Sequence, residues 1–232
     1  MESAMRDTYE PTDRTVPTRS KDRAVYDRER VHALLDEAYL CHLGFVRDGA
    51  PVVLPTLYAR VGERVYVHGS TGSRPLRMAN GTPGGAATEG GEEPGLAVCL
   101  TVTHLDGLVL ARSAFHHSMN YRSVVIHGTA HPVTDPEERR IALDALVDAV
   151  IPGRSRDSRP ANPRELAATA VLGLDLAEVS AKVRTGPPVD EPEDMDLPYW
   201  AGVVPVVRSY GTPIPDDAMD PSIPLPEYLR DR

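Results

Sequence analysis

Between residues 39 and 70, apolar and β-branched side chains recur in three runs, YLCHLGFVR, APVVLPTLYAR and RVYVHGS, separated by Asp48-Gly49 and by a turn around Gly62. An Asp-Gly pair suits the hairpin turn whose twist matches that of paired strands, so these runs predict an antiparallel meander. A helix precedes them: Asp27 can cap it, and Val31, Leu34, Leu35 and Ala38 follow helical spacing. Strand patterns resume at LAVCLTVTH and, after a turn at Leu105-Asp106-Gly107, at LVLAR. An irregular SAFHHSMN then leads to a long strand, YRSVVIHGTAH. Asp135, Pro136 and Glu138 supply the N-cap, first-turn proline and third-position acid of a helix with Leu143, Leu146, Val147 and Val150 on one face. That helix stops before Pro152-Gly153. A shorter helix around 164–170 and one more strand, VLGLDLAEVSAKVR, follow.

Strands joined by short turns, with helices at the periphery, predict a mainly β fold, a small antiparallel β-barrel. Residues 1–22 lack hydrophobic periodicity and read as a flexible or surface-hugging arm, leaving 23–206 as the barrel domain. Residues 81–95, GTPGGAATEGGEEPG, hold six glycines and no large apolar side chain, the pattern of a flexible surface insertion. Beyond Gly186 only WAGVVPVV can pair with a sheet, and 207–232 read as an extended, proline-rich tail.

Charge narrows the function. The chain has 34 acidic and 25 basic side chains, a net charge of −9, which opposes binding to nucleic acid or anionic membranes. No apolar run approaches the ~20 residues that span a bilayer, and the first residues lack an apolar export core, so a soluble cytoplasmic protein is expected. Cys41 and Cys99 sit in separate apolar runs, as buried thiols rather than a disulfide or a zinc knuckle.

The most chemically suggestive stretch is VYVHGSTGSRPL, residues 65–76, in which a strand runs through small hydroxylated residues into a short helix from Pro75 to Asn80. The unpaired N–H groups at the start of that helix, reached through Gly69 to Ser73, the hydroxyls of Ser70, Thr71 and Ser73, and the Arg74 guanidinium would suit a phosphate, with Arg77 about one turn later. Glycine and serine are also ordinary turn residues, and the stretch is neither a Walker loop nor a GxGxxG fingerprint. A second polar group, Asn120, Tyr121, Arg122 and Ser123, opens a strand.

Together, RAVYDRERVHALLDEA, GAPVVLPTLY, VYVHGSTGSRPLRMAN, DGLVLARSAFHHSMNYRSVVIHGTA, SAKVRTGPP and YWAGVVP resemble the flavin-binding proteins related to pyridoxamine 5′-phosphate oxidase, in their nitroimidazole-resistance branch. The resemblance spans roughly residues 20–206. It implies a six-stranded split β-barrel, a homodimer with one FMN in each of two interfacial clefts. It carries phosphate contacts to Ser70, Ser73 and Arg74, contacts along the flavin to Tyr121, Arg122 and Ser123, and the ring's polar edge to Pro55 and Thr56. Pro75 stands where the family commonly has a lysine, and the substrate-phosphate residues of true oxidases are not recognisable, so oxidation of vitamin B6 phosphate is not expected.

The implied activity is that of an FMN-dependent oxidoreductase passing electrons from NAD(P)H to a small-molecule acceptor; the same phosphate seat serves FAD. Hydride transfer needs no side-chain acid or base. The alternatives are a haem-binding protein with His68, His116 or His117 as axial ligand, or a non-catalytic flavin carrier. His68 also reads as a structural hydrogen-bonding residue at a strand end. His116 and His117 are adjacent, so a strand would point them to opposite faces, and no metal site is expected. Trp200 either covers the flavin or fills the barrel end. Lys182 either brings positive charge to the flavin or lies in solvent.

Overall fold

The computed structural model describes residues 7–81 and 94–230. The elements, in chain order, are β1 (Ala24–Val25), α1 (Arg28–Asp36), β2 (Leu40–Arg47), β3 (Ala50–Val61), β4 (Arg64–Ser70), α2 (Arg74–Ala79), β5 (Leu96–Leu110), β6 (Ser118–Pro132), α3 (Pro136–Val150), α4 (Pro163–Ala168), β7 (Thr169–Asp175), β8 (Glu178–Arg184) and β9 (Gly202–Pro205). Six strands close a ring in the order β2-β3-β4-β7-β6-β5, every pairing antiparallel. β8 lies along β6 and carries β1 on its far side, while β9 pairs with β5. This is the mainly β antiparallel barrel with peripheral helices that the pattern of strands predicts, split as the family resemblance implies.

Local chemistry explains the element ends. Asp27 accepts a hydrogen bond from Arg30 N at 2.8 Å and starts α1; Asp135 accepts from Glu138 N at 2.7 Å and starts α3. Asp48 (φ 50°) and Gly49 (φ 76°) make the left-handed hairpin turn between β2 and β3. The barrel interior is apolar: Cys41, Leu43, Val65, Val67, Leu100, Val102, Val124, Ile126, Leu172 and Val179 are buried together, joined by Val31, Leu34 and Leu35 of α1 and Leu76 and Met78 of α2. A smaller cluster, Tyr66, Val133, Ala142 and Val171, lies under α3. Both cysteines are free; burial pushes the Cys41 thiol up to about 12.

The structure corrects three readings. Leu105-Asp106-Gly107 is not a turn: β5 runs unbroken from Leu96 to Leu110 with an irregularity between Leu105 and Gly107. Gly107 is there for closeness, because a Cβ on it would lie 3.0 Å from Val203 Cγ1 and 3.2 Å from Val204 O of β9. The run 171–184 is two strands, not one, because the chain turns at Leu176 and Ala177 and Leu176 N binds Glu63 O at 2.9 Å. β6 begins at Ser118, with only Ala114–His116 left as a single tight helical turn before it. Residues 82–93 of the glycine-rich insertion lie outside the described residues.

From residue 7 the N-terminal arm lies against the barrel domain, the surface-hugging one of the two forms its sequence allows. Tyr9 N binds Tyr26 O at 2.8 Å and Arg28 N binds Asp7 O at 3.0 Å. The Tyr9 ring is 2% exposed, its hydroxyl donates to Glu63 Oε2 at 2.8 Å and meets His32 Nε2 at 2.8 Å, and the Arg28 guanidinium stacks 4.1 Å from its centroid. No sequence periodicity marks this, because one anchoring side chain has no period. The C-terminal stretch 207–230 is mostly exposed; Tyr228 donates to Asp157 Oδ2 at 2.5 Å. No helix among the described residues is long and apolar enough to cross a membrane.

Replacing Tyr9 with Ala should cost about 3–5 kcal/mol, the usual penalty for truncating a buried aromatic. Urea denaturation measures it; an unchanged midpoint would mean the arm does not contribute to the folded barrel.

Candidate functional site

β4 ends at Ser70, and the next residues fold into a tight junction before α2. Thr71 N donates to Ala168 O at 3.0 Å, Ser73 N to Ser70 O at 2.8 Å, and Gly72 N to Ser70 Oγ at 3.2 Å. Ser70 Oγ thus accepts within its own turn and keeps its O–H free to donate. Ser73 is different. It is the N-cap of α2, yet its side chain makes no capping bond, and its Oγ is buried without a hydrogen-bond partner. A buried unpaired hydroxyl costs roughly 1–3 kcal/mol, so this position rewards a polar group that reaches it. Gly69 makes the approach possible: a Cβ there would sit 3.2 Å from Ser73 Oγ and 3.3 Å from Leu76 Cδ2. Thr71, Arg74 and Arg77 are exposed around the junction. α2 has only six residues, so the orphan hydroxyl rather than the helix dipole recommends the place for an anion.

His68 is on the other face of β4. Side chains alternate along a strand; Val65 and Val67 enter the barrel core, while Tyr66 joins the cluster under α3. His68 shares the Tyr66 side and pairs with Val171 of that cluster. Its Nδ1 is buried without a partner, and burial pushes the imidazole below its ordinary value, so it is neutral at pH ~7.

β3 offers a second feature. Residues 50–57 pair with β2, and only 58–61 pair with β4, so the first part of the strand has one edge with no neighbouring strand. Pro51 and Pro55 lie on this stretch, as prolines on edge strands do. Pro55 is exposed and Thr56 half-buried.

The polar residues at the start of β6 do not form one cluster. Arg122 Nε and Nη2 donate to both Asp106 carboxylate oxygens, at 2.9 and 2.8 Å, and Nη2 and Nη1 to the two of Glu37, the first at 2.8 Å. This fork ties the end of α1 to the β5–β6 pair, and Arg122 holds the Glu37 carboxyl below its ordinary 4.5. Asn120 is buried, accepts from Arg184 Nη1 and donates to Gly186 O at 3.1 Å. Ser123 Oγ donates to Lys182 O at 3.4 Å, and Tyr121 is half-buried. Lys182 lies on β8 between Ser123 and Ala24. Trp200 is 66% exposed and its ring lies 2.9 Å from where a Cβ on Gly202 would be.

Two buried groups escaped the sequence. Arg184 reaches Asn120 and the carbonyls of Gly186 and Pro187. The Asp190 carboxylate, 1% exposed, accepts from Arg112 N at 2.9 Å, Arg112 Nη1 at 3.1 Å and Ser113 N at 3.3 Å. The clearest signal available was that Asp190 is an acid between prolines. A separate cleft of about 670 Å³ is lined by Asp7, Asp27, Arg28, Glu29, His32, Ala33 and Asp36, and its carboxylates suit no anionic cofactor. No group of three or more metal-ligating His, Cys, Asp or Glu side chains occurs among the described residues.

The fold and junction define a split-barrel protein with a polar seat at the end of its third ring strand. The chain belongs to the pyridoxamine 5′-phosphate oxidase family, whose model matches residues 27–183. It is similar to the flavocytochrome Anf3 of Azotobacter vinelandii, at 40% identity over 95% of this chain and 97% of that one, TM-score 0.83. It is similar also to an FAD and haem binding protein of Mycobacterium smegmatis, at 39% identity over 90% and 96%, TM-score 0.80. A Bacteroides thetaiotaomicron protein assigned to 5-nitroimidazole antibiotic resistance shares the fold, at 20% identity over 69% and 86%, TM-score 0.53. No curated protein sequence matches this chain.

Arg122→Ala should destabilise the protein in a pH-dependent way. The Glu37 carboxyl is depressed in the folded state, so its contribution is complete above its ordinary value and disappears as pH falls through the depressed one. The gap between wild type and variant in urea midpoint should therefore be wide at pH ~7 and narrow at pH ~3. A gap independent of pH would remove Glu37 from this role.

Proposed function

We propose that this chain binds a flavin nucleotide and haem and transfers electrons from NAD(P)H to a small acceptor. The observation that carries the flavin half is Ser73 Oγ, buried and unpartnered against Gly69 at the end of β4. Ser73 Oγ would hold the flavin's phosphate with the exposed Arg74 beside it, and Pro55 and Thr56 on the unpaired edge of β3 would line the ring. The flavin supplies the redox chemistry when bound; the protein's part is to fix its orientation and exclude water. FAD is the more fitting form than FMN, since one of the two relatives similar over nearly the whole chain is an FAD and haem binding protein and the other a flavocytochrome. The same two relatives support the haem half.

A homodimer belongs to this reading. Val46, Val53, Leu54 and Leu57 of β2 and β3 are exposed beside the unpaired edge, an arrangement that a second copy would cover.

The visible spectrum of the purified protein tests the reading, with flavin bands near ~450 nm and a Soret band near ~400 nm expected, and mass spectrometry of the released flavin separates FAD from FMN. Anaerobic NADH or NADPH should bleach the flavin bands; protein that takes up neither cofactor defeats the proposal. Ser73→Ala should weaken flavin binding by roughly 1.5–3 kcal/mol while leaving the flavin-free protein no less stable, because the lost hydroxyl was unpaired. Equal flavin affinity in the two proteins would clear Ser73 of the role.

A further inference from the structure

We infer that haem lies on the exposed face formed by β9, β5 and β6, with His117 Nε2 as its axial ligand. The inference rests on the haem half of the function proposed above.

The face is set by register. Across the three strands Val204 pairs with Leu108, which pairs with Met119; one step along, Val203 pairs with Val109, which pairs with Ser118. Directly opposed residues share a face, and successive residues alternate. Val109 is fully buried, so its row points inward, whereas Val204, Leu108 and Met119 are 43%, 45% and 50% exposed and form an outward apolar row. Gly202 is two residues before Val204 and shares its face, and the Trp200 ring occupies the space where a Gly202 Cβ would point. The indole therefore extends the row. Three strands at their usual spacing make it roughly 10 Å wide, comparable to a porphyrin.

His117 stands at the edge of this face. It caps the tight turn and leads directly into β6 (φ −59°, ψ 141°), and carrying that strand's alternation back two residues from Met119 puts it on the same side. Its Nδ1 is 3.0 Å from Ser113 O. A carbonyl can only accept, so Nδ1 carries the proton and Nε2 presents its lone pair outward, the tautomer that ligates a metal. The carbonyl is itself held in place. Ser113 N and Arg112 N both donate to the buried Asp190 carboxylate, and Ser113 Oγ accepts from Phe115 N at 3.3 Å. The pair Arg112–Asp190, which has no other role in the site, thus becomes the support behind the ligand. Phe115, 89% exposed on the same turn, adds apolar surface.

The other histidines fit less well. His116 Nε2 is 3.7 Å from a Glu191 carboxylate oxygen, and its ring packs edge-on against Phe115. His68 is half-buried on β4 opposite Val171, and its Nδ1 makes no hydrogen bond that would fix the tautomer.

Hemin titration of the full-length protein, followed by the Soret band and by electron paramagnetic resonance of the ferric form, is the test. His117→Ala should weaken hemin binding roughly tenfold or more and abolish the imidazole-ligated spectrum, with added imidazole restoring it. Its flavin content and urea midpoint should match wild type. A wild-type spectrum retained in His117→Ala overturns the assignment of the ligand alone. Wild-type protein that gives no Soret band overturns the haem half of the proposed function along with it. Leu108→Glu should also impair hemin binding; a variant that binds hemin normally but no longer self-associates would make the face a contact between protein copies and overturn its role as the haem floor.

Discussion

The rest of the architecture depends on one strand changing partners. β3 pairs with β2 up to Leu57 and with β4 from Tyr58 onward, so the barrel splits there and the first part of β3 keeps one free edge. Tyr58 sits at the change of partner, fully buried, with its N bonded to Tyr39 O at 3.0 Å and its hydroxyl to Leu35 O of α1 at 2.5 Å. A closed barrel would have no unsatisfied edge; a split one has donors and acceptors that must meet water, a ligand or another chain. The two prolines on that stretch reduce the number of donors to be met. The same split lets α1 and α2 pack their apolar sides into the core, which sets α2 and hence Ser73 at the end of β4.

A second principle separates scaffold from site. Arg122, with carboxylates on both sides, has the composition of a catalytic group but has already committed its guanidinium to the protein, and Arg112 is clamped to a buried aspartate through its N and Nη1. Arg184 is in the same position, held by Asn120 and backbone carbonyls. Among the described residues the buried polar side-chain atoms without a hydrogen-bond partner are Ser73 Oγ, His68 Nδ1 and the Nε atoms of Arg28, Arg64, Arg112 and Arg139, and the bond from His117 Nδ1 to Ser113 O leaves its Nε2 uncommitted. Saturated networks hold geometry, and unsaturated groups are where a ligand gains free energy.

This difference also explains what the sequence revealed and what it hid. Caps, turns and alternation are local, so Asp27, Asp135, Asp48-Gly49 and the strand runs could all be read directly, and so could the junction VYVHGSTGSRPL. Gly107 was misread because glycine marks both a turn and a close approach, and only the position of β9 decides which. The strand 171–184 hid its turn because Leu176-Ala177 contains no glycine, proline or asparagine. Tyr9, Arg184 and Asp190 were the hardest to read: their side-chain partners Glu63, Asn120 and Arg112 lie far away in the chain, and spacing along the sequence carries little trace of that. Arg122 was legible as a polar anomaly, but whether it faces a flavin or Glu37 is a three-dimensional fact.

The boundaries of the family model sharpen the case for a second cofactor. The match ends at residue 183, and the Bacteroides protein that shares the fold covers 69% of this chain, whereas the two relatives near 40% identity extend over 90% or more. What lies past residue 183 is not needed to close the ring, since its six strands are already complete at β7. Yet this segment supplies Asp190, Trp200 and β9, three of the pieces that build the outward face beside His117. Structure added to a finished barrel has to serve something the barrel alone does not. The two relatives that cover 90% or more of this chain are a flavocytochrome and an FAD and haem binding protein, which is the pattern that the haem face proposed above predicts.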